Sequence, residues 1–569
     1  MRVFAVLVLV CCAAAALPAS PVRAGEPVVS RDFMVSTANP LASKAARDII
    51  VAGGNAVDAA IAAQMVLGLV EPQSSGIGGG AFMLYYDAAA RSVTSYDGRE
   101  TAPMAATPDL FLQLDGEPMS WSTAAEGGLP VGTPGVLRML EMVHAAHGRL
   151  PWADLFEPAI RLARHGFVLS PRLYLVLDWV EEPEKFETFY RFYFDHNRAR
   201  KPVGTRLFNP DYAETLARIA EGGAEAFYAG PIAEAIVQAV DHAKVNPGLL
   251  ALADLATYRA KERPPVCADY RIWRICGMGP PSSGGSTVLA ILLLLEGRDM
   301  AAVEPGSLEA VHLISEASRL AYADRDRYLA DGDFVAVPLD GLLDKAYLAG
   351  RAALIDPLHD MGEAEPGIPP GWNSGALEAD PDVQQGFSTS HMSIVDRAGN
   401  AVSMTTSIEQ VFGSRLMVEG FMLNNELTDF SFIPEVDGVP VANRVEPGKR
   451  PRSSMAPMLV LDRDGRLVMA IGTVGGSRII AYVAKTLIAT LDWGLDIQAA
   501  IELPHHVNRN GVTELEEDTP LVALQPELEA MGHEVTIMPE TTGQQGFRIE
   551  GGLIYGGADP RREGTALGQ

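Results

Sequence analysis

Two short runs, SHMSIV (390–395) and AVSMTTSIE (401–409), alternate small polar with apolar residues on either side of DRAGN. A period of two is that of a β-strand with one buried face, and an Asp/Gly/Asn cluster between two such runs marks a turn. Residues 388–409 therefore read as a β-hairpin. An isolated hairpin is marginal in water, so the rest of the chain has to supply neighbouring strands and a covering layer. Pairing Asp396 with Ala401 sets Ser390 opposite Ser407 and Thr389 opposite Ile408. The hydroxyl of Ser407 and the carboxylate of Glu409 then return beside Thr389.

The segment just before the hairpin, MGEAEPGIPPGWNSGALEADPDVQQGFS (361–388), is rich in Pro, Gly and acids and has no periodicity. Such segments are irregular and accessible. Ser388, Thr389 and Ser390 thus stand at an abrupt border. The common role of hydroxyls at a strand start is local capping. A chemical role is also open. A threonine hydroxyl is a weak nucleophile until a base takes its proton, and a threonine that begins a chain carries that base as its own α-amine. This role requires a backbone cut between Ser388 and Thr389.

At 569 residues the chain is long enough for two to four units or one large layered α/β fold. A hydrophobic content of 48% with 21% charged residues is that of a globular protein. The net charge of −27, with no Lys/Arg-rich block, disfavours nucleic acid as a partner. The opening MRVFAVLVLVCCAAAALPASPVRAGEP has an arginine, an apolar run and a small-x-small site at Val22-Arg23-Ala24. It reads as a signal peptide over 1–24, so the protein is expected to be exported, secreted or periplasmic. No later stretch is apolar enough to span a bilayer. Cys11 and Cys12 leave with the signal. Cys267 and Cys276 flank ADYRIWRI, read as one strand that holds its ends apart, so two buried free thiols are expected.

Residues 40–70 and most of 134–345 have helical patterning, and helices are again expected from Ser477 onward. The glycine-rich SSGIGGG lies between helix and strand, where a phosphate loop would need strand then helix, so it reads as a close-packing turn. Three further groups carry possible chemistry beside a bland surface reading. Gly475 and Gly476 separate a strand from a helix, and their N–H groups could cradle an oxyanion or carboxylate. Ser453 and Ser454 follow Lys449, Arg450 and Arg452, and Glu426 and Asp429 in LNNELTDF could hold an ammonium group. PSSGGS (281–286) is only loosely like a nucleophile elbow, and no histidine falls in a metal-binding motif.

GGNAVDAA, GIGGGAFML, DGRETAP, LPWADLFEPAIRLARHGF, PPSSGGS, EASRLAYADRDRYLAD, TSHMSIVDRAGNAVSMTT, LNNELTDFS, GKRPRSSMAPMLV and GGSRII occur in one order along nearly all of the mature chain. In these stretches the chain resembles the gamma-glutamyltransferases, also called gamma-glutamyltranspeptidases or glutathione hydrolases. The resemblance implies an N-terminal-nucleophile hydrolase fold of the mixed α/β (α+β) class, a four-layer αββα sandwich. It implies one precursor that cuts itself into a large subunit, 25–388, and a small subunit, 389–569, which stay together as a heterodimer. Thr389 is then the nucleophile, Ser407 its support, and Gly475 with Gly476 the oxyanion hole. Arg99, Ser453 and Ser454 would hold the α-carboxylate of a γ-glutamyl group, and Glu426 and Asp429 its ammonium. The acyl group would pass to water or to an amino acid or peptide acceptor, and neither metal nor organic cofactor is needed.

Some positions depart from the family pattern. Ser407 stands where threonine is usual and keeps the hydroxyl, while Glu409 stands where asparagine is frequent, a third carboxylate that would strengthen ammonium binding or shift preference in the acyl group. Thr473-Val474 stands where Ser-Pro often precedes the glycine pair. The segment FIPEVDGVPVANRVEP (432–447) is shorter than in well-known members and has no tyrosine. A reduced lid of this kind is expected to let hydrolysis compete well with transfer. The rival within the fold is an acylase for glutaryl or cephalosporin-type side chains, which lack the ammonium.

Overall fold

The structure is a computed structural model that describes residues 25–372, 377, 388–540 and 542–569. The signal-peptide reading lies outside the described residues, as does most of the linker that precedes Ser388.

Two seven-stranded sheets, each antiparallel throughout, form the centre. The first runs in the order Thr565–Gly568, Met34–Thr37, Ser390–Val395, Ala401–Ser407, Gly80–Asp87, Ser92–Gly98, Lys261–Arg263. The second runs Val28–Ser30, Leu553–Ala558, Gln545–Glu550, Leu467–Gly472, Met458–Leu461, Trp273–Gly277, Val266–Tyr270. Both sheets combine strands from before and after residue 388.

Side-chain alternation then builds the layers. Met83, Tyr85, Met392, Ile394, Val402 and Met404 face the helices Pro40–Val51, Ala56–Val70 and Val136–His147. Ile275, Met458, Val460, Met469 and Ile471 face the helices Gly284–Leu295, Leu308–Tyr328 and Ile479–Leu491 on the far side. Leu84, Tyr86, Val395 and Ala401 meet Leu459, Leu461, Ala470 and Phe547 between the sheets. The result is one helix–sheet–sheet–helix sandwich.

The hairpin differs from its expected form in two ways. Both faces of each strand are buried. The polar face, His391, Ser393, Ser403 and Thr405, packs between the sheets. There His391 bonds to Thr405 Oγ1 at 2.8 Å, and Ser393 Oγ donates to the Gln545 carbonyl at 3.0 Å. The pairing is also one residue off, with Val395 opposite Ala401 and Ser390 opposite Thr406. Asp396 causes the slip. Its carboxylate accepts from the Ala398 and Asn400 N–H groups (2.8 and 3.0 Å), which draws Asp396 out of the strand into a five-residue loop.

Two other expectations are corrected. Cys267 and Cys276 form a disulfide. The stretch between them is two strands, Val266–Tyr270 and Trp273–Gly277, joined at Arg271-Ile272, and the turn sets the cysteines directly opposite each other. Arg271 takes the left-handed φ of +55° that the turn needs. Among the described residues after Ser477 only Ile479–Leu491, Ile497–Glu502 and Gln525–Met531 are α-helices, and six strands fill much of the remainder, three of them in the central sheets. Among the described residues no helix is long and apolar enough to cross a membrane.

Candidate active site

Carried one step beyond its last ladder pair, the observed register brings Thr389 opposite Ser407, at the end of the hairpin face that looks between the sheets. Their hydroxyl oxygens are 3.4 Å apart. Thr389 Oγ1 donates to the Ser388 carbonyl at 2.6 Å, and Ser407 Oγ donates to the same oxygen at 3.0 Å. Two hydroxyls thus converge on the peptide carbonyl just before Thr389. Ser388 is itself held by its hydroxyl on the Gln73 carbonyl. Gly79 backs this corner: a Cβ there would lie 2.1 Å from the Ser407 carbonyl oxygen, so only glycine permits the approach.

Thr389 and Ser407 open into a cavity lined also by Glu409, Glu426, Asp429, Ser453, Ser454, Met455, Gly476 and Ile479. Candidate residues more than sixty positions apart in sequence are therefore assembled on one surface. Glu409 follows the hairpin at φ +76°; its N–H donates to Ser407 Oγ at 2.8 Å and Asn425 Nδ2 donates to its carboxylate at 2.7 Å. Glu426 and Asp429 sit on one 3₁₀ turn, which puts both carboxylates on the cavity side.

Arg99 lies behind these two acids and is not among the residues that line the cavity. Fully buried, it pairs with both Glu426 and Asp429 and donates to the Pro451 and Arg452 carbonyls at 3.2 Å each. Glu100 stands 3.9 Å from it. Four acids, Glu100, Glu409, Glu426 and Asp429, thus surround one arginine. Burial raises all four carboxyl groups, and their mutual repulsion raises Glu100, Glu409 and Glu426 further against the pull of Arg99. Glu426 reaches about 7, and Glu100 and Glu409 stand well above the usual range. Neither Glu100 oxygen nor Glu426 Oε2 has a hydrogen-bond partner. A cluster with this surplus of carboxylate is suited to receive a cation.

The opposite wall holds Ser453 and Ser454, whose segment is stitched to PSSGGS. Ser283 donates through both N–H and Oγ to the Ser453 carbonyl, each at 2.7 Å, and Ser282 Oγ donates to the Met455 carbonyl at 2.6 Å. This wall also contains what sequence reasoning missed. Arg325, on the helix Leu308–Tyr328, reaches Ser454 Oγ at 2.8 Å and Ser283 Oγ at 3.0 Å. The available signal was a helix carrying Glu316, Arg319, Asp324 and Arg325 among apolar residues that leave it almost no polar face. Gly476 lines the cavity and Gly475, beside it in the turn, does not; the two take φ of +60° and +130° between the strand Leu467–Gly472 and the helix Ile479–Leu491. Tyr322 OH fixes this turn by donating to the Ser477 carbonyl at 2.5 Å.

The helix–sheet–sheet–helix sandwich is the fold of the N-terminal-nucleophile hydrolases. Comparison with known proteins narrows this further. The profile of the gamma-glutamyltranspeptidase family matches residues 42–569, and the chain belongs to that family. It is 37% identical over 552 residues to the glutathione hydrolase proenzyme of Bacillus subtilis (strain 168), covering 95% of this chain and 92% of that protein. It is 35% identical over 545 residues to the acylase ACY 1 proenzyme of Pseudomonas sp. (strain SE83), covering 94% and 93%. The crystal structure of a cephalosporin acylase from Bacillus halodurans superposes with a TM-score of 0.83 at 27% identity, over 98% of this chain and 99% of that one.

Proposed function

We propose that the protein is an exported γ-glutamyl hydrolase and transferase that cuts its own chain at Ser388–Thr389 and acts on glutathione and related γ-glutamyl amides. The observation that carries this reading is the pair of hydroxyls, Thr389 and Ser407, on the Ser388 carbonyl at the edge of a carboxylate-rich cavity. In maturation Thr389 Oγ adds to the Ser388 carbonyl carbon and the C–N bond breaks, moving the acyl group from nitrogen to oxygen. Water then hydrolyses the ester. Ser388 keeps a carboxylate and Thr389 a free α-amine.

In turnover that amine takes the hydroxyl proton as Thr389 Oγ attacks the γ-carbonyl of the substrate. The Gly475 and Gly476 turn stabilises the resulting oxyanion, and the proton leaves with the departing amine. Water releases glutamate from the γ-glutamyl ester, or an amino acid or peptide amine takes the acyl group. Glu409, Glu426 and Asp429 receive the substrate's ammonium, and Ser453 and Ser454 its carboxylate, with Arg99 contributing charge from behind the acids. The Cys267–Cys276 disulfide supports an oxidising compartment, secreted or periplasmic.

The acylase reading keeps the same nucleophile and replaces the γ-glutamyl group by one without an ammonium. The surplus of buried carboxylates favours γ-glutamyl. Comparing kcat/KM on a γ-glutamyl anilide and the matching glutaryl anilide tests the choice. The γ-glutamyl compound is expected to be cleaved at least tenfold better, about the value of one charge-assisted contact. A preference for the glutaryl compound would assign the protein to the acylases.

A further inference from the structure

Ser453 and Ser454 are short neutral side chains, and their use against a carboxylate depends on which way their O–H groups point. Ser453 Oγ accepts from the Met455 N–H at 3.1 Å. Ser454 Oγ accepts from Arg325 Nη2 at 2.8 Å. A guanidinium has donors only, so the hydroxyl proton of Ser454 is directed away from Arg325. Arg325 is 1% exposed, and its Nε donates to Ser283 Oγ, which in turn donates to the Ser453 carbonyl. One guanidinium therefore touches the Ser454 hydroxyl directly and the Ser453 backbone through Ser283.

The fit between PSSGGS and the serine pair is tight. A Cβ on Gly284 would stand 2.5 Å from the Met455 carbonyl oxygen and 2.7 Å from that of Ser454. Ser282 and Ser453 also form a parallel bridge. Arg325 is also paired with Asp326 at 2.5 Å, and after the larger effect of Arg99 it and Arg452 still oppose the rise in the Asp429 carboxyl.

We propose that Arg325, acting with Ser283, is a positioning residue for recognition of the substrate's α-carboxylate. It orients the Ser454 hydroxyl as a donor into the cavity and places a buried positive charge behind it. The inference rests on the γ-glutamyl reading and adds to it a group outside the cavity lining. It gives PSSGGS a purpose: a cradle that fixes the two serines.

The test uses the mature enzyme and two anilides, γ-glutamyl and 4-aminobutanoyl, the second of which keeps the ammonium and lacks the carboxylate. Arg325→Met is expected to lower kcat/KM for the γ-glutamyl anilide by about 10- to 100-fold, mostly through KM, and to change the 4-aminobutanoyl reaction little. Arg325→Lys restores part of the loss. Ser283→Ala produces the same pattern more weakly and carries the test if Arg325→Met does not mature. In a Ser454→Ala background the Arg325 and Ser283 substitutions should add little. Equal losses on both anilides, or a full loss persisting without Ser454, would overturn this inference alone. A wild-type enzyme that cleaves glutaryl but not γ-glutamyl anilide would overturn the underlying reading and this inference with it.

Discussion

Thr389 is 4% exposed, and its hydroxyl lies on the very bond the account requires it to cut. Thr389→Ala is expected to remain one chain on a denaturing gel and to show no turnover. Ser407→Ala removes a donor from the Ser388 carbonyl and should slow both cleavage and kcat, by about 10- to 100-fold on the scale of a lost oxyanion donor. The carboxyls make a pH prediction. Burial and neighbouring acids lift Glu426 to about 7, so the empty site holds protons below neutrality, and an ammonium substrate must displace them. For such substrates kcat/KM should rise with pH through about 7, and Glu426→Gln should remove that limb while lowering the plateau. An unchanged limb in the variant would assign it to another group. At this scale Glu409, Glu426, Asp429 and the serine pair were legible in the sequence, and Glu100 was not. Arg325 was not, because an arginine in a helix carries no mark of what lies across from it.

At the scale of elements, polar–apolar alternation showed the hairpin, but its register turned on one side chain. Asp396 folded back on Ala398 and Asn400, and alternation cannot register such a contact. The disulfide escaped for a related reason: ADYRIWRI has strand-like residues throughout and no glycine or proline at the turn, which Arg271 makes with a positive φ. Replacing both cysteines by serine should destabilise the protein by up to about 3 kcal/mol, since the closed loop is short. A denaturation midpoint unmoved by the double substitution would show that the bridge contributes nothing. The glycine turn is a second local device. At φ +130°, with the Tyr482 ring 3.0 Å from where a Cβ would be, Gly475→Ala should distort the turn and depress kcat more than KM. Residues 432–447 fold as a small hairpin, Glu435–Val436 against Val439–Pro440, stacked through Phe432 on Phe111. None of these residues lines the cavity, so water should be free to compete. Glutamate is expected to match or exceed transfer product at neutral pH with millimolar acceptor.

Across the whole molecule, each of the two central sheets is built jointly from strands on either side of the proposed cut. The hairpin is flanked by Met34–Thr37 and Gly80–Asp87, and the C-terminal strand Thr565–Gly568 pairs with Met34–Thr37. A cut before Thr389 therefore severs no core contact, and the two fragments should migrate as one particle under native conditions. The sandwich itself was legible only through family resemblance. Its strands are short and scattered over the full length of the chain, and local periodicity does not say which distant strands pair. The most direct test of the central claim is N-terminal sequencing of the smaller band from purified protein. The expected sequence is Thr-Ser-His-Met, beginning at Thr389, from a fragment about half the size of its partner. An intact chain with full activity, or a small fragment beginning at any other residue, would contradict it.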